Sequence, residues 1–105
     1  MEEINAQYLI EYNSYLSQIK INPKSILNIP KEYITHELCL EAVKRNGWLL
    51  DKISPEMQDE EICLAAVCNF YPSIIYIRDE KLYKRIFSIN PNLLYKVKPE
   101  ELKKR

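Results

Sequence analysis

Seven side chains near the middle of the chain are of types that carry chemistry: the thiols of Cys39, Cys63 and Cys68, the imidazole of His36, and the carboxylates of Asp59, Glu60 and Glu61. A thiol beside an imidazole makes a nucleophile with its base. Neighbouring carboxylates can divide acid and base roles, and thiols with histidine can hold zinc. The spacing supports none of these. His36 is the only histidine, and Glu60 stands at the equivalent place 24 residues on, so the sequence offers a base neither a partner nor a pocket. Cys39 and Cys63 lack CxxC spacing and a four-ligand set, and read as small buried hydrophobes. Cys68 corresponds to Lys44 and Ser88 in other copies and is expected to be exposed and reactive. Asp59, Glu60 and Glu61 open a helix, where negative charge complements the backbone dipole. The expectation is no catalytic residue, no metal, no cofactor and no enzyme activity.

These residues sit inside an internal repeat. "ELCLEAV" (37–43) recurs as "EICLAAV" (61–67), and at a shift of 24 the identities include Glu37/Glu61, Cys39/Cys63, Ala42/Ala66 and Ile53/Ile77. A third copy follows at a shift of 20, with Leu82, Tyr83, Ile86 and Phe87 replacing Ile62, Cys63, Ala66 and Val67. "INPKSILNI" (21–29) matches "RNGWLLDKI" (45–53) and "INPNLLYKV" (89–97). Each unit reads as a helix pair. Thr35, Asp59 and Asp79 fall at the N-cap, where a side-chain oxygen can accept from free backbone N–H groups. Leu38, Cys39, Ala42 and Val43 then form one apolar stripe, with Glu41 and Arg45 spaced to pair on the far arc. "NG" or "NP" ends that helix, a short apolar helix follows, and Pro30, Pro55 or Pro99 breaks the chain again.

Units this short cannot bury their faces alone and must share a core by stacking. The expected fold is all-α: one domain over 1–105, with a cap helix in 1–21, repeat units at 22–53, 54–77 and 78–97, and a C-terminal end at 98–105. The cap helix places Ile4, Tyr8, Tyr12, Tyr15 and Ile19 on one stripe. Lys84 stands where Leu40 and Leu64 stand, which marks the stack as ending near residue 97.

The net charge is zero, which gives no overall case for nucleic acid or an anionic membrane. Residues 1–77 carry 11 acids and 6 bases, whereas 78–105 carry 9 bases and 4 acids. The basic end, which includes Arg78, Lys81, Lys84, Arg85, Lys96, Lys98, Lys103, Lys104 and Arg105, would suit nucleic acid or an acidic protein, and serves equally as a solvated terminus. No apolar run spans a membrane, no signal peptide opens the chain, and an odd cysteine count argues against a disulfide framework. A cytoplasmic setting is expected, the host's if the protein is viral.

"THELCLEAVKRNGWLLDKI" and "DEEICLAAV", each tied to a proline-containing link, resemble the tandem repeats of domain-of-unknown-function family 4116, found in bacteria and large DNA viruses. The likeness covers about residues 22–102. It implies a helical repeat and brings no catalytic motif. Its viral occurrence suggests a small protein that acts by binding a host component, such as an inhibitor of a CRISPR effector or another defence machine.

Positions where one copy is large and apolar while others are polar are not demanded by the stack. Trp48 aligns with Lys24, Pro72 and Asn92, Phe70 with Asn46 and Asn90, and Tyr76 with Asn28, Lys52 and Lys96. With Tyr71 and Cys68 these form the expected partner-binding set, since exposed aromatics are favoured at binding hot spots. Glu37, Glu41, Glu61, Lys81, Lys84 and Arg85 are the expected electrostatic contacts. The function expected first is a non-enzymatic protein-interaction module, then a phage or viral inhibitor, then a nucleic-acid binder through the basic end.

Overall fold

The computed structural model describes residues 5–90. Four α-helices alternate with 3-10 helices: α1 (Ala6–Ile21), η1 (Pro23–Asn28), η2 (Lys31–Tyr33), α2 (His36–Arg45), η3 (Gly47–Lys52), η4 (Pro55–Met57), α3 (Glu60–Asn69), η5 (Tyr71–Tyr76) and α4 (Glu80–Ile89). The fold is all-α, with no strand among the described residues. The expected segments at 91–97 and 98–105, together with Ile4 of the cap stripe, lie outside the described residues.

The α-helices begin where the caps placed them. Thr35 accepts from the Leu38 N–H, Asp59 from the Ile62 N–H, and Asp79 from the N–H groups of Lys81 and Leu82. Leu38, Cys39, Ala42 and Val43 of α2 are buried, as are Ile62, Cys63, Ala66 and Val67 of α3. Glu41 pairs with Arg45 on the outer arc. Each α-helix then stops on one shared backbone break: Asn22, Asn46 and Phe70 have φ of −143°, −148° and −145°.

The short second helix of each unit is a six-residue 3-10 helix. With three residues per turn, side chains at i and i+3 fall on one edge. The buried pairs Ile26/Ile29, Leu50/Ile53 and Ile74/Ile77 have that spacing. The result is two layers. The α-helices stack in order, α1 on α2, α2 on α3 and α3 on α4, while η1 packs on α2, and η3 lies between α3 and η5.

Polar ties run along the α-layer from each unit to the next. The Tyr12 hydroxyl donates to Glu37 Oε1 at 2.6 Å and lies 2.7 Å from Thr35 Oγ1. His36 Nε2 lies 2.8 Å from Asp59 Oδ2 and 3.2 Å from Glu61 Oε1. Both ties end on the same two repeat positions, the cap and the acid two residues after it. At α4 that acid is Lys81, and the tie becomes Arg85 Nε to Glu60 Oε1 at 2.7 Å. The cap helix adds an aromatic cluster: Tyr33 stacks on Tyr8 with centroids 4.7 Å apart and meets Tyr15 edge-on at 5.0 Å. The Tyr33 hydroxyl donates to Glu11, which pushes the phenol up to about 12 and holds the Glu11 carboxyl below its usual range.

Two residues lock the second unit. A β-carbon on Gly47 would lie 2.2 Å from the Ala66 carbonyl oxygen and 3.0 Å from Phe70 Cβ. Its φ is not positive, so close approach to α3, and not an unusual dihedral, excludes a side chain there. Asn69 bridges the same junction: its Oδ1 accepts from the Gly47 N–H at 2.7 Å, and its Nδ2 donates to the Lys44 carbonyl at 3.1 Å. Buried Gln58 closes the gap between η3 and η5. Its Nε2 lies 3.2 Å from the Leu50 carbonyl, 3.3 Å from Ile53 and 3.2 Å from Tyr76, and its Oε1 accepts from the Arg78 N–H at 3.0 Å.

Gly47→Ala drives a β-carbon into the Ala66 backbone carbonyl, so a loss on the order of 3 kcal/mol is expected, read as a drop in Tm of roughly 10–20 °C. Gln58→Leu keeps the bulk but strands three backbone groups, the Ile53 and Tyr76 carbonyls and the Arg78 N–H, while the Leu50 carbonyl still accepts from the Ile53 N–H. It should cost about 3 kcal/mol by chemical denaturation, with little change in the helical signal at 222 nm.

Candidate interaction surface

The chemistry-bearing residues are separated by burial. Cys39 and Cys63 are fully buried, and burial pushes their thiols up to about 11 and about 12. A thiol that stays protonated is a poor nucleophile and a poor metal ligand. Cys68 is exposed, as expected. His36 departs from the sequence expectation. It does have partners, the Asp59 and Glu61 carboxylates, which α3 brings from the next unit. The three groups join two helix starts, and among the described residues no cluster of His, Cys, Asp and Glu could hold a metal ion.

The expected partner-binding residues divide between two faces. Trp48 and Phe70 are 37% and 41% exposed. Phe70 runs against the backbone at Gly47, the residue before Trp48. The Lys52 ammonium sits 5.6 Å above the Trp48 ring, a cation–π contact that holds the indole on the surface. Tyr71 and Tyr76 are half-buried and pack against the core. Cys68 belongs to the α-layer face, in a shallow depression shared with Leu40, Lys44, Glu61 and Asn69. The expected electrostatic residues are mostly engaged within the chain: Glu37 by Tyr12, Glu41 by Arg45, Glu61 by His36 and Arg85 by Glu60. Lys81 and Lys84 are exposed on α4, while Lys96, Lys98, Lys103, Lys104 and Arg105 lie outside the described residues.

The most apolar concave feature is one that the sequence reading missed. Between η1 and η3 lies a groove of about 450 Å³ walled by Ile26, Ile29, Ile34, Cys39, Ile53 and Met57. Leu27, 49% exposed, stands at its edge with Lys31 and Lys52. Glu56 also lines it, with its carboxyl held below the usual range chiefly by the Ser54 hydroxyl and further by its own backbone N–H and by Lys31. Ile26, Ile29 and Ile53 keep 5–8% of their surface, whereas most of the core keeps none. The core therefore comes closest to solvent along this line. The comparison of copies that singled out Trp48 contains part of the signal: Ile34 aligns with Gln58 and Arg78, whereas Leu27 aligns with Asp51 but also with Ile75. Lys52 lines the groove and covers Trp48, so groove and indole belong to one surface.

The thiols supply a pH test. Folded values near 11 and 12 lie above the ordinary 9.0, so between those limits the unfolded chain has released protons that the folded chain keeps. Their contribution to stability is complete below about pH 9 and falls above it, by up to about 1.4 kcal/mol per pH unit for each thiol. A C39A/C63A double variant should show a flatter loss of stability from pH 9 to 11. In the native state at pH 8, Ellman's reagent should modify Cys68 alone, with the other two thiols reacting only on unfolding.

No curated protein and no solved structure gives a significant match to the chain. Residues 36–82, from the start of α2 into the first turn of α4, match a family model, so over its central repeats the chain is similar to the family described as Domain of unknown function (DUF4116).

Proposed function

We propose that this chain is a non-enzymatic protein-interaction module whose working surface is the 3-10 layer. The observation that carries the reading is the continuity of the open groove with exposed large side chains: Leu27 at its edge, Trp48 beside it under Lys52, and Phe70 against the Gly47 backbone. Surface apolar residues scattered singly need no explanation, but a contiguous patch around a concavity with a polar rim suits a partner. The α-layer suits one less, because Glu37, Glu41, Glu61 and Arg85 already satisfy each other's neighbours. An exposed Trp beside a groove also matches the composition of hot spots, where a few aromatic residues carry most of the binding energy.

The test is capture from a native host extract with the intact chain, followed by Leu27→Lys and Trp48→Ala. Each should weaken capture roughly 30-fold, about 2 kcal/mol, and leave Tm nearly unchanged because neither side chain is in the core. If capture survives both changes, this surface is not the one used. Binding to nucleic acid that weakens steeply with salt and ignores both changes would replace the proposal with contact through the basic end.

A further inference from the structure

The repeat supplies a template for what the groove accepts. Ile34 follows η2 as Gln58 follows η4, and their backbones match, at φ −73°, ψ 115° and φ −80°, ψ 94°. The four backbone groups that hold Gln58 belong to Leu50, Ile53, Tyr76 and Arg78. Moved back by the repeat length of 24 residues, these positions become Ile26, Ile29, Lys52 and Ser54. All four line the open groove. One inter-unit gap is therefore filled by a carboxamide on backbone partners. The preceding gap has corresponding backbone positions and, in Ile34, a side chain with no polar atom. Among the described residues no hydrogen bond ends on the Ile29 or Lys52 carbonyl, and none starts from the Ser54 N–H.

We propose that the groove receives the side-chain carboxamide of a glutamine from a partner polypeptide, seated as Gln58 is seated one unit later. This rests on the 3-10 layer being the interaction surface. The NH₂ would donate to the Ile29 and Lys52 carbonyls, and the carbonyl oxygen would accept from the Ser54 N–H. The two side-chain methylenes would lie on Ile34 and Met57. A glutamate has the same shape but no NH₂ to donate, and its charge would face carbonyl oxygens. Methionine fills the space and leaves the backbone groups unpaired, and asparagine is one methylene short. Lys31 stands beside Glu56 at the rim and Lys52 lies 3.7 Å from Asp51, so an acidic residue beside the glutamine would find two ammonium groups within reach.

The probe is a peptide series, acetyl-Asp-Ala-X-Ala-Asp N-methylamide with X as Gln, Glu, Met or Asn, so that only X can present a primary carboxamide at the Gln reach. Titrated into the isotope-labelled chain, the Gln peptide should shift the Ser54 amide and the methyls of Ile26, Ile29 and Ile53. It should bind at least about 10-fold tighter than the Glu and Met peptides. Equal binding of Gln and Met, or shifts elsewhere, overturns the assignment. Ile34→Gln gives a second, independent reading. The variant should fill its own groove, raise Tm and abolish the Gln-peptide shifts; a lowered Tm with peptide binding intact overturns the template. Capture of the native partner separates the two levels. Dependence on Trp48 with indifference to Ile34→Gln leaves the surface standing and removes glutamine as its ligand, whereas indifference to both removes the surface.

Discussion

Everything in this chain depends on the seam between successive α-helices. No unit has enough apolar surface to fold on itself, and each fully buried Leu or Ile contributes about 2 kcal/mol only once a neighbour covers it. The seam is built from modest side chains, buried Cys39, Ala42 and Val43 of α2 and buried Cys63, Ala66 and Val67 of α3, and the backbone of η3 comes up close against α3. That closeness explains why η3 must open with Gly47, since the α3 backbone leaves no room for a β-carbon. It also sets the protonation of the two buried thiols, which are packing atoms first.

Once the α-helices are stacked, the 3-10 helices are laid side by side as a second layer, and the fit between layers is imperfect. Where the third link shortens to Arg78 alone, Gln58 spans the gap and satisfies backbone groups from two units. Where the link is full length, Ile34 stands in its place and the gap stays open. The two gaps differ in the residue after the short 3-10 helix, Ile34 against Gln58, and in link length, among other side chains, and these differences separate a sealed core from a groove. The polar ties along the α-layer follow the same logic. Tyr12 and His36 each reach a cap and an acid of the next unit, and the pattern changes hands where Lys81 replaces the acid.

Much of this was legible in the residues. The caps at Thr35, Asp59 and Asp79, the apolar stripe that follows each, the burial of Cys39 and Cys63 and the exposure of Cys68, Trp48 and Phe70 all came from local spacing or from comparing copies. The partners of His36 were not, because Asp59 and Glu61 reach it only after α2 and α3 stack. The bridging role of Gln58 was not, since its acceptors lie up to 18 residues away. Nor was the 3-10 winding of the second helices, although the i, i+3 pairs that favour it can be seen in retrospect. Tyr76 shared the unrepeated character of Phe70 and yet lies half-buried, as does Tyr71, because both pack against the core.

By itself the sequence determined the helices, their caps and the faces they bury, because a backbone's hydrogen bonds and a 3.6-residue period are settled within one turn of chain. The tertiary structure alone decided which gap is filled and which is open, and which charges find partners. Those outcomes turn on side chains from different units meeting within a few ångströms, and the register of one short element against another sets that distance.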